Sequence, residues 1–436
     1  MKAVVIGAGI GGLTASIALS RAGYEVTVVE RDDTPMPADV DGAFAWDRRG
    51  APQVRHTHGF PALIRVTLRD HFPDVLAALL AAGVREVSVL PPSVTPDVAD
   101  YARHKEDLQV LATRRTTLEW VLRGCALAET GVTFVTGQAV AGLVARAGAV
   151  TGIRLEHGDQ IDADVVVAAS GRRCAAPAWF AEHGWHVAEE EHPTGTIYLS
   201  RFYRSSEPPM GYVGGRRAGL GFVVAGADNG TYSATLAVPA DDAELRAHLL
   251  DEANFEAVLP LFKEMQPVVE RQGEPLTPVQ TMGGLINRIR RFPRTPGFFA
   301  IGDSHTCTNP LYGRGSSLAV LQAVLVRDAL VDGSDYEDAC TQRVEPWYEM
   351  SLLADKPEAA NLTGFDLQSM RRATASDDPE VAVLMTRMMS LLTTPTELFS
   401  DPVLVQRLQA AGEPKPKPVD PNKKLLTRED FLTTRG

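Results

Sequence analysis

The sequence predicts an α/β protein: a parallel sheet covered by helices, an antiparallel sheet inserted into it, and a helical C-terminal part. Three observations carry that prediction. The run Val4-Val5-Ile6-Gly7-Ala8-Gly9-Ile10-Gly11-Gly12 reads as a buried strand, a tight glycine turn and the start of a helix. Glu30 ends a second strand about 20 residues on. Far downstream another apolar strand, Phe299-Ala300-Ile301, closes in Gly302-Asp303. Between residues 195 and 240 the hydrophobic pattern changes to the alternation of antiparallel strands.

Each glycine of the first motif has a physical task. Gly7 permits the turn, Gly9 lets the backbone approach a diphosphate, and Gly12 lets the helix lie close on the strand. With Gly11 in the same turn, the amides that open the helix toward Leu13 and Ile17 face an anion. Glu30 is placed to accept hydrogen bonds from a ribose diol, and its carboxylate repels a 2′-phosphate. Arg31 beside it works the other way. A nicotinamide dehydrogenase has no use for the distant Gly302-Asp303 strand, whereas a flavin does.

At 436 residues the chain exceeds one typical core, so two or three domains are expected, one interrupting another. Hydrophobic content of 44% and charged content of 22% describe an ordinary globular protein. The net charge of -12 argues against a nucleic-acid partner, which requires a basic face. Cys125, Cys174, Cys307 and Cys340 are scattered without CxxC spacing, which suits a reduced cytoplasm and offers no zinc site. The apolar N-terminus is broken by glycines and lacks a basic start, so it reads as a strand and not as a signal peptide. No stretch reaches the roughly 18 to 20 apolar residues that span a bilayer, and no repeat recurs at a period of about 20 to 50 residues.

Residues 33–60 read as loop, rich in Pro and Gly, and residues 63–80 have helical spacing. Arg115-x-x-Leu118 starts another helix, followed by strands over 132–135, 139–145 and 152–155. The continuous apolar run Asp164-Val165-Val166-Val167-Ala168-Ala169-Ser170-Gly171 predicts a strand buried on both faces. Strands are expected over 196–203, 219–225 and 232–238, the last two joined by the hairpin signal Gly226-Ala227-Asp228-Asn229-Gly230. Residues 255–271 read as helix, 285–292 as strand, 316–330 as an apolar helix, and the chain to about Ala411 as mainly helical. Residues 414–421, rich in Pro and Lys, predict a mobile tail.

Taken together, Gly7-x-Gly9-x-x-Gly12 with Glu30, Arg115-x-x-Leu118, Ala169-Ser170-Gly171-Arg172, and Gly302-Asp303 with Asn309-Pro310-Leu311-Tyr312-Gly313-x-Gly315 resemble the FAD-dependent monooxygenases of the p-hydroxybenzoate hydroxylase structural class. The resemblance covers about residues 1–345 and is strongest to the branch of epoxidases and geranylgeranyl reductase-like enzymes. It implies a Rossmann-like (GR2-type) FAD-binding domain over 1–73, 104–173 and 293–345. A substrate domain would occupy 74–103 and 174–292, a helical region 346–413 and a flexible tail 414–436. By position, Glu30 and Arg31 would lie at the adenosine ribose, Arg115 beside the diphosphate and ribityl chain, and Gly171 at the cofactor. Asp303 after Gly302 would accept from a ribityl hydroxyl, while Pro310, Gly313, Gly315 and Ser316 would pass the isoalloxazine edge. Helix-start amides there would favour the anionic reduced flavin.

Arg114 competes with Arg115 for the cofactor role. In the related branch a Pro-Gln-x-x-His-x-His loop lies near the flavin, so Arg55, His56 or His58 would touch the cofactor or the substrate side. His56 and His58 lack an obvious third partner as metal ligands, and no metal is expected. His305 is a candidate only by its closeness to Asp303. No catalytic side chain is assigned, because the flavin C4a position, through its hydroperoxide, would carry the oxygen chemistry. The substrate, small to medium and largely apolar, would meet a pocket lined by Tyr198, Phe202, Tyr203, Tyr212 and Phe222, of which alternation lets only about half point inward.

Where aromatic hydroxylases carry Asp-Gly this chain has Ser170-Gly171, and it holds no second GxGxxG segment. Electrons from NADH or NADPH would therefore arrive directly or through a separate flavin reductase. The Trp-x-Trp-x-Ile-Pro segment and catalytic lysine of the flavin halogenases are not visible. The implied activity is hydroxylation or epoxidation of a small molecule with molecular oxygen, in a tailoring pathway of secondary metabolism. The competing readings are a flavin reductase or dehydrogenase of a prenyl-like or polyketide substrate, and a flavoprotein without turnover. The oligomeric state and the role of the C-terminal helices stay open.

Overall fold

In the computed structural model, which describes residues 1–209, 211–270, 273–356, 367–411 and 426–436, the two distant motifs meet. The β-branched run of Lys2–Ile6 is buried along almost its whole length, as a central parallel strand requires. It pairs with Glu25–Glu30 on one side and Val165–Ala168 on the other; Val132–Thr136 and Phe298–Ala300 complete a five-stranded parallel sheet. Register sets Ile6 against Ala168, and Ala168 against Ala300. The chain thus leaves three neighbouring strands at the same end of the sheet, through Gly7, Ala169-Ser170 and Gly302, where open α/β sheets bind ligands.

One face of this sheet is covered by Ile10–Arg21 and the long helix Arg314–Val331, whose Leu13, Ile17, Leu321 and Val324 are fully or almost fully buried in the main core. On the other face Val4, Ile6 and Val166 pack with Trp179, Phe180 and the small antiparallel sheet Val140–Arg146, Ala149–Leu155 and Gln160–Asp162.

The inserted sheet is antiparallel, in the order Tyr212–Arg217, Leu220–Gly226, Thr231–Pro239, Thr196–Arg204, with Glu274–Pro275 and Gln280–Met282 both against Thr196–Arg204. Alternation gives it two faces. Leu199, Tyr203, Phe222 and Leu236 point to a core shared with Leu245, Phe255 and Phe262, while Tyr198, Ser200 and Thr235 point the other way.

Several elements differ from the sequence expectation, each for a physical reason. The helix over 63–80 is two helices, Ala62–His71 and Pro73–Ala81, because Pro73 has no N–H to continue the first and suits the opening turn of the second. Val75, Leu76 and Leu79, expected in the substrate domain, sit in the core of the parallel sheet. The helix over 255–271 is broken into Glu252–Val258 and Gln266–Val269 around Pro260, and Arg271 lies outside the described residues. Ala188–Pro193, too acidic to read as a strand, is one because Glu189, Glu190 and Glu191 pair with Arg290, Arg291 and Arg288 on Ile286–Arg291. Most of the expected tail, 412–425, is outside the described residues, but its end is not a loose segment. Arg428–Thr433 is a helix with a full capping box whose Phe431 is completely buried against Phe262.

Candidate cofactor and substrate site

The glycine turn is held from both sides of the sheet. Gly7 donates to the Val29 carbonyl (2.8 Å) and Ala169 donates to the Ile6 carbonyl (2.9 Å). Gly7 has φ +103°, and a Cβ on Gly12 would stand 1.9 Å from the Gly7 carbonyl oxygen, so no larger residue fits there without moving the helix. Nothing lies within 4 Å of a Cβ built on Gly9, which faces open space at the start of Ile10–Arg21. Glu30 is buried and accepts from the Ala8 and Asp32 amides (2.8 and 2.9 Å), one on each oxygen, which leaves further lone pairs for a diol.

Gly7, Gly9, Gly11, Glu30, Arg31, His58, Arg115, Gly171, Gly302, Asp303, Pro310, Gly313, Gly315 and Ser316 all line one continuous cavity of about 320 Å³. Gly12 lies beneath its floor. Arg55 is the exception among the residues expected at the cofactor. Its side chain is 63% exposed and faces Asp47 at 3.6 Å, because the single turn Pro52–Arg55 aims it outward.

The choice between the two arginines is decided by burial. Arg114 is almost fully buried and locked to Asp228, which accepts from its backbone amide (2.6 Å) and its guanidinium (2.5 and 3.0 Å), and from Thr117 Oγ1 (2.8 Å). Burial alone would raise the Asp228 carboxyl, but Arg114 outweighs it and holds the group below the usual carboxylate range. The predicted hairpin thereby pins the start of helix Arg115–Ala128, and Arg115 is left facing the cavity. Behind it, the fully buried Glu119 accepts from Arg115 Nε (2.8 Å) and Arg48 Nε (3.1 Å). Arg48, which the sequence reading missed in a loop without periodicity, also lines the cavity and donates to the Ala8 carbonyl (3.0 Å).

At the other end, the Gly302 amide donates to Gln322 Oε1 (2.8 Å) and the Gly171 amide to Ser304 Oγ (3.0 Å), tying the two strand ends together. Gly313, at φ +63°, approaches so closely that a Cβ would stand 2.5 Å from the Gly59 carbonyl oxygen. Its loop is fixed by a buried network: Tyr198 donates to Asn309 Oδ1 (2.6 Å), and Asn309 and Asn287 both donate to Asp355 (2.9 Å). At Gly315 a Cβ would make only an ordinary contact, 3.5 Å from Asp303.

A second cavity, about 360 Å³, adjoins the first; Thr57, Gly59, Met282, Pro310 and Gly313 line both. Tyr198 and Tyr212 line it as expected. Phe202 and Phe222 do not. Phe202 is on the correct face but packs edge-on against Phe44, and Phe222 points to the opposite face onto Phe262, leaving Val223 at the cavity. Tyr203 also lies on the far face, stacked on Tyr232. Helix Pro379–Met389 and the residue after it bring Thr386, Met389 and Ser390 to the wall, so the C-terminal helical region helps to enclose this cavity.

His56 lines the second cavity and His58 the first. Burial pushes His56 down to about 4, and burial with the nearby Arg115 charge pushes His58 down to about 3, so both are neutral near pH 7. His305 is buried, bonded to Thr306 Oγ1 (2.6 Å), and lines neither cavity. Sequence reasoning also missed Ser200 and Thr235. For Thr235 the signal was visible, since Thr231, Ser233 and Thr235 stand at alternate positions of an otherwise apolar strand, whereas Ser200 stands beside Arg201 with no such pattern.

The first cavity fits a flavin dinucleotide on observations independent of the motifs. Gln138 Oε1 and Thr308 Oγ1 line it, are buried, and have no hydrogen-bond partner in the protein, the condition of groups completed by a ligand. Its lining offers glycine amides and the Glu30 diol acceptor at the first motif, guanidinium groups that include Arg48 and Arg115, and Asp303 with the bare backbone at Gly313.

Residues 5–79 match the family described as NAD(P)-binding Rossmann-like domain. Protein Rv3254 of Mycobacterium tuberculosis (strain ATCC 25618 / H37Rv) is 30% identical over 364 residues, spanning 75% of this chain and 72% of that protein. Among solved structures, the flavin-dependent brominase Bmp2 superposes with a TM-score of 0.62 at 14% identity, covering 94% of this chain and 99% of Bmp2. PqsL from Pseudomonas aeruginosa, described as a probable FAD-dependent monooxygenase, gives a TM-score of 0.58 at 16% identity, with 88% and 99% covered. At such identities the likeness shows the fold, which is the flavin-dependent monooxygenase fold expected from the motifs. No helix among the described residues is long and apolar enough to cross a membrane.

Proposed function

The chain belongs to the same protein family as Protein Rv3254 of Mycobacterium tuberculosis, and from that premise and the site geometry we propose that it is an FAD-dependent monooxygenase. It would hydroxylate or epoxidise a small to medium, largely apolar molecule, in the cytoplasm and in a tailoring pathway. One observation carries the reading: a cavity with dinucleotide-binding features at the ends of three neighbouring parallel strands opens onto a largely apolar cavity under the inserted sheet.

Bound in the first cavity, FAD supplies a redox-active ring that activates molecular oxygen once it is reduced. The chain's own residues would do the rest. Glu30 would hold the adenosine diol, and the amides following Gly9 the diphosphate, with Arg115 and Arg48 balancing its charge. Asp303 would accept from the ribityl chain, and the Gly313 loop, stiffened by the Tyr198–Asn309–Asp355 network, would back the ring. The largely apolar lining of the second cavity would favour a carbon skeleton over water beside the reacting groups. Among the described residues no lysine lines either cavity, which speaks against the bromination performed by Bmp2.

The test is anaerobic mixing of the yellow holoprotein with NADH or NADPH, followed by admission of oxygen. Rapid bleaching marks direct reduction, and bleaching only after a flavin reductase is added marks a two-component system. Reduced flavin that takes up no oxygen and is reoxidised only when an unsaturated organic acceptor is added would replace the monooxygenase with a reductase or dehydrogenase, and a protein that binds no FAD would refute the reading.

A further inference from the structure

The second cavity has an unusual composition. Among the described residues its lining contains no Arg, Lys, Asp or Glu, and its one histidine, His56, is held neutral by burial. Buried carboxylates or phosphates need a charged partner, so the cavity offers nothing to an anionic substrate.

Its polar wall is one chain of hydrogen bonds: His56 Nδ1 to Ser200 Oγ (3.0 Å), Ser200 Oγ to Thr235 Oγ1 (2.6 Å), Thr235 Oγ1 to Thr57 Oγ1 (2.7 Å), and Thr57 Oγ1 to Ser233 Oγ (2.8 Å). Each hydroxyl owns one proton and two lone pairs. Thr57 donates to Ser233, so its bond to Thr235 must be donated by Thr235, the next by Ser200 and the last by His56 Nδ1–H: the chain runs away from His56. Thr57, Ser200 and Thr235 therefore spend their protons inside the chain, and each keeps one lone pair free. Elsewhere in the lining Tyr198 donates to Asn309, Thr386 donates to the Ala382 carbonyl, and Tyr212 accepts from the Phe60 amide. Thr57 stands where the two cavities join.

Resting on the flavin reading above, we propose that the second cavity takes an uncharged substrate with an apolar carbon body and a hydroxyl group. That hydroxyl donates to the Thr57–Ser200–Thr235 chain and turns this end of the molecule toward the cofactor cavity. Val110, Val223 and Met389 receive the carbon body. An ether or ketone of the same shape, which can only accept, finds no free proton on Thr57, Ser200 or Thr235.

Equilibrium dialysis of the holoprotein at pH 7 tests this with three probes of one shape: 2-naphthol, 2-methoxynaphthalene and 2-naphthoate. The expected result is 2-naphthol binding about tenfold more tightly than the ether, the worth of one hydrogen bond, and no measurable binding of the carboxylate. In the Thr57→Val/Ser200→Ala/Thr235→Val triple variant the preference for naphthol over ether falls to about one while ether affinity and flavin content stay unchanged; should that variant lose flavin, the Ser200→Ala/Thr235→Val pair carries the comparison, with the preference reduced. The inference is overturned if 2-naphthoate binds as well as 2-naphthol, if the naphthol preference survives the substitutions, or if none of the probes binds. Flavin absorbance read on the same samples separates the two proposals. A colourless protein that still selects naphthol sinks the flavin reading only, and a yellow one that does not select it sinks this inference only.

Discussion

Gly9 and Gly12 stand three residues apart in one turn, yet alanine at each has a different expected consequence. At Gly12 the new Cβ would stand 1.9 Å from the Gly7 carbonyl oxygen, where real Cβ atoms stay beyond 3.0 Å, so helix and strand must part. The separation required is roughly 1 Å, enough to take an amide–phosphate bond from its normal ~2.9 Å out of hydrogen-bonding range. Losing two such bonds, at about 1.5 to 3 kcal/mol each, weakens FAD binding by a factor on the order of 10² to 10⁴. The strained packing costs a further ~1 to 3 kcal/mol of stability. At Gly9 the new methyl meets no protein atom within 4 Å and fills cavity instead. Gly9→Ala should therefore lose flavin affinity with the unfolding midpoint of the apoprotein unchanged, whereas Gly12→Ala should lose both. FAD titration of apoprotein and urea unfolding of the same samples read the two quantities. Wild-type flavin affinity in Gly9→Ala would refute the placement of the diphosphate at this turn.

Asp303→Ala should purify with much less flavin, and full occupancy measured by absorbance would remove Asp303 from the cofactor site. Asp228→Ala leaves Arg114 buried without its carboxylate, a loss of about 3 to 5 kcal/mol in urea unfolding; a change below about 1 kcal/mol would mean that the hairpin does not pin the helix start. His56 and His305 are both held at about 4 in the folded protein, below the unfolded value of 6.5. Between those values the unfolded chain binds more protons, so stability rises with pH and is lost as pH falls from 6.5 toward 4. From pH 7 to 5 each contributes a loss of about 2 kcal/mol; His305→Asn should flatten the slope by that amount, and an unchanged slope would show that His305 titrates normally.

What the chain declares locally and what it does not follow from the range of the interactions. The strand Lys2–Ile6, its glycine turn and Glu30 are readable because each depends on neighbours close in sequence: β-branched runs for the buried strand, a bare backbone for the turn, a fixed span to the acid. Of the residues expected at a cofactor, all but Arg55 and the underlying Gly12 line the first cavity. Arg48 was not legible, since nothing around it in the chain signals the Glu119 and Ala8 it meets in the fold. Nor was Ala188–Pro193, whose acidic residues become a strand only when three arginines arrive opposite them.

The buried first strand, the dinucleotide-type turn and the span to Glu30 were set by the chain alone, because backbone sterics and hydrophobic period act over a few residues, whereas the sharing of one site with Gly302-Asp303 was legible through the family resemblance. Tertiary structure decided which arginine faces the cavity and which aromatic side chains line it. Those outcomes turn on the Asp228 hairpin claiming Arg114, and on Phe262 claiming the far face of the sheet from Phe222. It also decided that Thr57, Ser200 and Thr235, far apart in the chain, share one line of hydrogen bonds at the junction of two cavities, because only strand register sets Ser200 opposite Thr235.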